Sequence, residues 1–189
     1  FDTLFATSTK NDTPELTPSP FDKDRDGLVI GEGACTLVLE ELEHAKARGA
    51  TIYAEVIGYG TNCDGLHVTQ PCVDSISRVL QLSLNDAGIA ASDVDYISAH
   101  GTATDRGDIA ESHAVLNVLG GQIPLSALKS YTGHTLGACG ATEAWATILM
   151  MRDGWFHPTL NLRNVDPQCA SLDYITGDGR FLECEIAMS

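Results

Sequence analysis

A chain of 189 residues that is 43% hydrophobic and 20% charged, with a mean hydropathy of -0.01, has the composition of one globular domain with a true core. Such a length hides roughly 70% of the unfolded surface and needs no disulfide or metal staple. The net charge of -15 and eleven Lys and Arg that never cluster exclude a phosphate-backbone footprint, and with it nucleic acid as a partner.

No apolar run reaches the ~18 residues of a membrane helix, and no signal-peptide pattern opens the chain. The six cysteines (Cys35, Cys63, Cys72, Cys139, Cys169 and Cys184) are scattered without C-x-x-C or His/Cys ligand spacing. That usage argues against a zinc site and for a reducing compartment, the cytoplasm. The chain starts on Phe1 and stops inside the alternating pattern "ECEIAMS", as a piece of a longer protein would.

In chain order, residues 8–20, "STKNDTPELTPSP", read as a surface loop. "LVIGEGACTLVLEEL" (28–42) is apolar and β-branched, the pattern of a buried strand, and "EELEHAKARG" then predicts a short helix closed by Gly49. A second strand is expected over 52–60, "IYAEVIGYG". From Asp74 as N-cap, Ile76, Val79, Leu80, Leu84 and Ala87 recur at helical spacing up to Gly88. "VDYISAHG" is a strand running into a loop, "DIAESHAVLNVLGG" a helix, "IPLSAL" a strand and "GATEAWATILMMRDG" a helix ended by Gly154. This rhythm predicts an α/β fold, helices covering a mainly parallel sheet, with functional loops at the carboxyl ends of the strands.

Two local motifs carry little. "DKDRDG" (22–27) begins like a calcium loop, but its twelfth position is Gly33 and a strand pattern follows, so a turn stabilised by Asp side chains is the better reading. The tripeptide "RGD" at 106–108 is too short to inform.

Two strand-to-helix loops hold the chemistry. "SAHGTATDRGDIAES" sets His100 at a strand end, Gly101 in a tight turn, and the hydroxyls of Thr102 and Thr104 beside it. "SALKSYTGHTLGACGA" sets Lys129 at the next strand end and His134 before a helix N-terminus. Parallel neighbours bring the three into one pocket, where two neutral imidazoles offer N–H groups to a developing oxyanion and the helix dipole keeps His134 neutral. Asp108 and Glu111 fall in a first helical turn, where the macrodipole alone favours them. Cys139 reads as a buried structural thiol, and His44, His67, His113 and His157 as surface or packing residues.

"FDKDRDGLVIGEGA", "HGTATDRGD" and "LKSYTGHTLGACGATEA" together resemble the β-ketoacyl-[acyl carrier protein] synthases of the thiolase-like superfamily, over essentially the whole chain. The resemblance implies the C-terminal half of an α-β-α-β-α layered fold, with residues 1–50 ending the N-terminal half and 51–189 forming the C-terminal half, cut before the family's glycine-rich G-F-G-G segment. It implies that His100, His134 and Lys129 are catalytic, that Glu111, held near Lys129, and Asp108 are supporting acids, and that Thr102 and Thr104 contact the phosphopantetheine arm. The family's reaction is a decarboxylative Claisen condensation with malonyl-[acyl carrier protein], without metal or other cofactor; acyl carrier protein is the partner and a homodimer the assembly. The nucleophilic cysteine belongs to a D-T-A-C-S turn outside this chain, so the isolated chain is expected to be inactive. Asp105 stands where the family has proline. A non-catalytic partner subunit resembling the chain-length factors is the alternative, and the His100, Lys129 and His134 set weighs against it.

Overall fold

The computed structural model describes residues 1–189, the side chain of Asp2 excepted. In chain order the strands are β1 (Tyr96–Ser98), β2 (Pro124–Ser126), β3 (Trp155–Phe156), β4 (Asp173–Tyr174), β5 (Arg180–Phe181) and β6 (Ala187–Met188). The helices are α1 (Leu42–Ala47), α2 (Val73–Ala87), α3 (Asp105–Leu119), α4 (Lys129–Thr132) and α5 (Cys139–Asp153).

Four strands form one sheet in the order β4-β2-β1-β6, every pair parallel, with Ile97 opposite Leu125 and Ser98 opposite Ser126. β3 and β5 make a separate antiparallel pair. Because side chains alternate across a strand, β1 feeds two cores. Ile97 joins Leu84, Val115 and Leu125 on the side of α2 and α3, while Tyr96 joins Met150, Phe156 and Ile175 on the side of α5. Phe21, fully buried, belongs to the first core, so the opening segment is built into the same body.

The helix boundaries follow local chemistry. α2 is amphipathic and ends where Gly88 takes a left-handed φ of 69° and its N–H reaches Leu84 O. Its N-cap is Cys72, and Asp74 lies in the first turn, favouring the dipole without capping. α3 begins at Asp105, before the predicted start, because Thr104 is the last extended residue. α5 stops at Gly154, left-handed at 68°.

Two predicted strands are absent from the described residues. Leu28 and Ile30 make single bridges, to Thr7 and His134, and beyond them Val38 and Leu39 are 87% and 78% exposed. Residues 52–60 form no strand pairing among the described residues; they lie along α2, where Tyr59 N–H donates to Asp86 Oδ2 at 2.9 Å. A strand needs a partner's N–H and C=O groups, and β-branched composition alone does not provide them. The loop 8–20 also differs from expectation at its end, for residues 18–20 turn inward and are buried ahead of Phe21.

The Asp-rich turn holds as read. Asp22 Oδ1 accepts from Asp24 N–H, and its Oδ2 reaches across to accept from Arg163 and Asn164 N–H, each at 2.8 Å. All six cysteines are free thiols, and among the described residues no helix is long and apolar enough to cross a membrane.

Candidate active site at the carboxyl ends of β1 and β2

β1 and β2 are parallel neighbours, so the loops that leave their carboxyl ends emerge side by side. The first loop carries His100 and the second carries Lys129 and His134. Lys129 Nζ stands 3.1 Å from His100 Nδ1, and the His100 and His134 rings meet edge to face with centroids 5.4 Å apart. The three side chains do converge, as the loop positions predict.

Their hydrogen bonds determine which ring nitrogen carries the proton. An ammonium is donor only, so His100 Nδ1 accepts from Lys129 and its proton sits on Nε2. His134 Nδ1 accepts the Leu136 N–H at 3.1 Å, which likewise puts its proton on Nε2. Among the described residues no hydrogen bond engages either Nε2. Two N–H donors are thereby left for an external acceptor.

Both rings are held neutral. Burial first, then the Lys129 charge and then His134, push the His100 pKa well below its ordinary value, although part of the residue surface meets solvent and tempers the effect. For His134 partial burial leads and Lys129 adds to it. The helix dipole expected to do this is not among the causes: a 3-10 turn at Leu136–Ala138 separates His134 from α5, and its Leu136 N–H donates to Nδ1.

Glu111 lies within reach of the Lys129 charge, which opposes the rise in its pKa that burial causes, but among the described residues it makes no ion pair with the ammonium. Its two carboxylate oxygens accept the N–H groups of His100 and Gly101 at 2.6 and 2.8 Å, fixing the turn from which His100 projects. At that turn Gly101 has φ 38°, and a Cβ there would come 2.6 Å from the Ala127 methyl. The Lys129 ammonium instead ion-pairs with Glu143, and both side chains are more than nine-tenths buried. Burial pushes Glu143 above its ordinary pKa while the Lys129 charge opposes the shift. Sequence reasoning missed Glu143, although it is the lone acid between Cys139 and Arg152 in an otherwise small and apolar helix.

Asp108 does more than favour a helix dipole. Completely buried, it accepts Phe21 N–H at 2.7 Å and Ala103 N–H at 3.1 Å, with Arg25 Nε 3.6 Å away. Burial raises its pKa to about 7 against the pull of those donors. Arg25 also pairs with Asp166 at 2.5 Å and donates to the carbonyls of Thr104 and Asp105, so one guanidinium ties residues 22–27 to the start of α3.

The clamp holds a strained residue. Ala103 has φ 62°, at a cost of roughly 1–2 kcal/mol for a residue with a Cβ. Its N–H goes to Asp108 and its carbonyl accepts Gly27 N–H at 3.0 Å. The result brings Thr102 and Thr104 Oγ1 to 2.8 Å, hydroxyl to hydroxyl. Gly107 faces them, since a Cβ there would lie 2.3 Å from Thr104 Oγ1. Asp105, at the first helical position, turns outward and meets Arg25 only at 3.6 Å.

Residues 53–163 match the family described as "Beta-ketoacyl synthase, C-terminal domain". The chain is 46% identical to 3-oxoacyl-[acyl-carrier-protein] synthase 2 of Synechocystis over 97% of its own length and 45% of that protein. It superposes on the crystal structure of a beta-ketoacyl synthase from Burkholderia phymatum with a TM-score of 0.96 and 62% identity, covering 98% of this chain and 45% of that one. A type II PKS ketosynthase, solved in complex with its acyl-carrier protein and bound to the hexaketide, gives a TM-score of 0.93 at 42% identity, over 99% of this chain and 47% of that one. The chain thus spans about half the length of the relatives it matches. With that family matching more than half of its residues, the chain belongs to the beta-ketoacyl synthase family, in the part that holds the C-terminal domain.

Proposed function

We propose that the protein containing this chain is a 3-oxoacyl-[acyl-carrier-protein] synthase, and that this half contributes its decarboxylation apparatus. One observation carries the reading. Two neutral imidazoles, each with an unengaged Nε2–H, stand beside one buried ammonium. Preorganised donors of that kind act where negative charge develops.

In the reaction, an acyl group is carried as a thioester on a cysteine outside this chain. Malonyl-[acyl carrier protein] loses carbon dioxide, and the electron pair of the broken C–C bond passes into an enolate whose oxygen accepts both Nε2–H groups. The enolate carbon then attacks the acyl carbonyl; a C–C bond forms, the C–S bond breaks, and the cysteine leaves as a thiolate. His100 and His134 bind the oxyanion, burial and after it the Lys129 charge favour the neutral form of both rings, and Glu143 balances that charge. Glu111 and Asp108 hold the backbone of the first loop. Thr102 and Thr104 offer hydroxyls to the phosphopantetheine arm. None of these steps calls on a metal or redox cofactor.

The finer features belong to the same proposal. Residues 1–50 end the N-terminal half and 51–189 make the C-terminal half. Acyl carrier protein is the partner, the assembly is a homodimer, and six free thiols fit the reducing cytoplasm. The isolated chain, lacking the nucleophile, is inactive.

Malonyl-[acyl carrier protein] decarboxylation by the intact protein tests the reading. His134→Ala removes one oxyanion donor and should cost about 100–1000-fold in rate. An unchanged rate rejects the assignment.

A further inference from the structure

α5 opens with Cys139, which is 7% exposed. Its Sγ lies 3.2 Å from Nδ1 of His134 and accepts the Thr135 hydroxyl at 3.4 Å. A sulfur that accepts from Thr135 keeps its own S–H for the imidazole.

His134 Nδ1 thus faces donors from two elements, the Leu136 N–H of the 3-10 turn and the Cys139 S–H of α5. A single donor fixes a direction but leaves the ring free to turn about it. Two donors from different elements define a plane. We propose that Cys139 is a positioning residue for His134, whose thiol, acting beside the Leu136 N–H that sets the tautomer, fixes the plane of the ring that presents Nε2–H. The role rests on reading His134 as an oxyanion donor.

The opposite assignment, Cys139 as a nucleophile with His134 as its base, fails on the same geometry. A nucleophile must be reached by its electrophile, yet Cys139 is only 7% exposed and its Sγ is held by the Thr135 hydroxyl, while the one lone pair of Nδ1 is already shared between the Leu136 N–H and the Cys139 S–H. Besides Cys139, the groups around His134 are Lys129 of α4, the His100 ring of the loop after β1 and the Phe1 ring with its centroid 6.3 Å away; Glu143 of α5 pairs with Lys129. Only Lys129 among them carries positive charge toward the ring, and none donates to Nδ1.

The test uses the intact protein, labelled with 15N-histidine, as wild type, Cys139→Ala and Cys139→Ser. In the wild type the Nδ1 resonance of His134 should be that of an unprotonated acceptor. Cys139→Ala removes one of the two donors to Nδ1, so it should shift that resonance toward the value of a less hydrogen-bonded unprotonated nitrogen and lower kcat for malonyl-thioester decarboxylation about five-fold, the worth of one neutral hydrogen bond, with KM unchanged. Cys139→Ser, which keeps a donor, should restore most of both. An unmoved resonance in Cys139→Ala, or equal losses in the two variants, overturns the proposal. A wild type that decarboxylates nothing sinks the reading of the site instead, while the resonances still decide the role of Cys139.

Discussion

Lys129 Nζ stands 3.1 Å from Nδ1 of His100, and the same ammonium is ion-paired with Glu143 at a depth where both side chains are more than nine-tenths buried. One cation therefore serves two neighbours with opposite needs. It adds to burial in disfavouring a charged imidazole, and it opposes burial in favouring an ionised carboxylate.

Removing one member of that pair leaves the other charge buried without compensation. Glu143→Ala should lower the unfolding free energy of the intact protein by about 3–5 kcal/mol in urea titration. The double replacement Lys129→Met with Glu143→Leu should recover most of the stability, because it removes both charges, and none of the activity. Equal stability of Glu143→Ala and wild type would show that the pair is solvated.

The neutral state of His100 makes stability depend on pH. Its folded pKa lies below the ordinary 6.5, so in mildly acid solution the unfolded state binds more protons than the native one. Stability contributed by the neutral ring is fully present above pH 6.5 and falls as pH drops below it. Partial exposure of His100 keeps the slope under the ~1.4 kcal/mol per pH unit of one whole proton. Urea midpoints measured between pH 5 and 7.5 should therefore slope less in His100→Gln than in wild type, and parallel slopes would place the dependence elsewhere.

Much of this site was legible in the sequence because its residues sit at strand ends. "VDYISAHG" and "IPLSALK" each run an apolar stretch into a polar loop, and parallel pairing of two such strands suffices to bring His100 and Lys129 together. What failed to show were contacts set by three-dimensional packing. Glu143 meets Lys129 across fourteen positions and Asp166 meets Arg25 across 141, and no local pattern encodes either. Residues 28–42 and 52–60 failed for another reason. Their β-branched runs report suitability for a sheet, yet pairing is decided by partners, and the described residues offer none beyond isolated bridges.

One of those bridges positions the site. Ile30 pairs with His134 in parallel; Val29 O accepts His134 N–H at 2.7 Å and Gly31 N–H donates to His134 O at 3.0 Å. The backbone of His134 is thus clamped on both sides by residues 29–31. Close approach is what makes Gly31 necessary. A Cβ there would lie 2.1 Å from Thr132 O, whereas one on Gly33 would meet the Thr135 methyl at 3.4 Å, an ordinary contact. Gly31→Ala should push the Lys129–His134 segment away, costing about 1–3 kcal/mol of stability and lowering kcat for malonyl-thioester decarboxylation more than KM changes, as loss of alignment does. Gly33→Ala should stay within about 0.5 kcal/mol of wild type. The pair of variants separates clamping of His134 from a general intolerance of side chains in this stretch, since equal losses at both positions would leave no special role for residue 31.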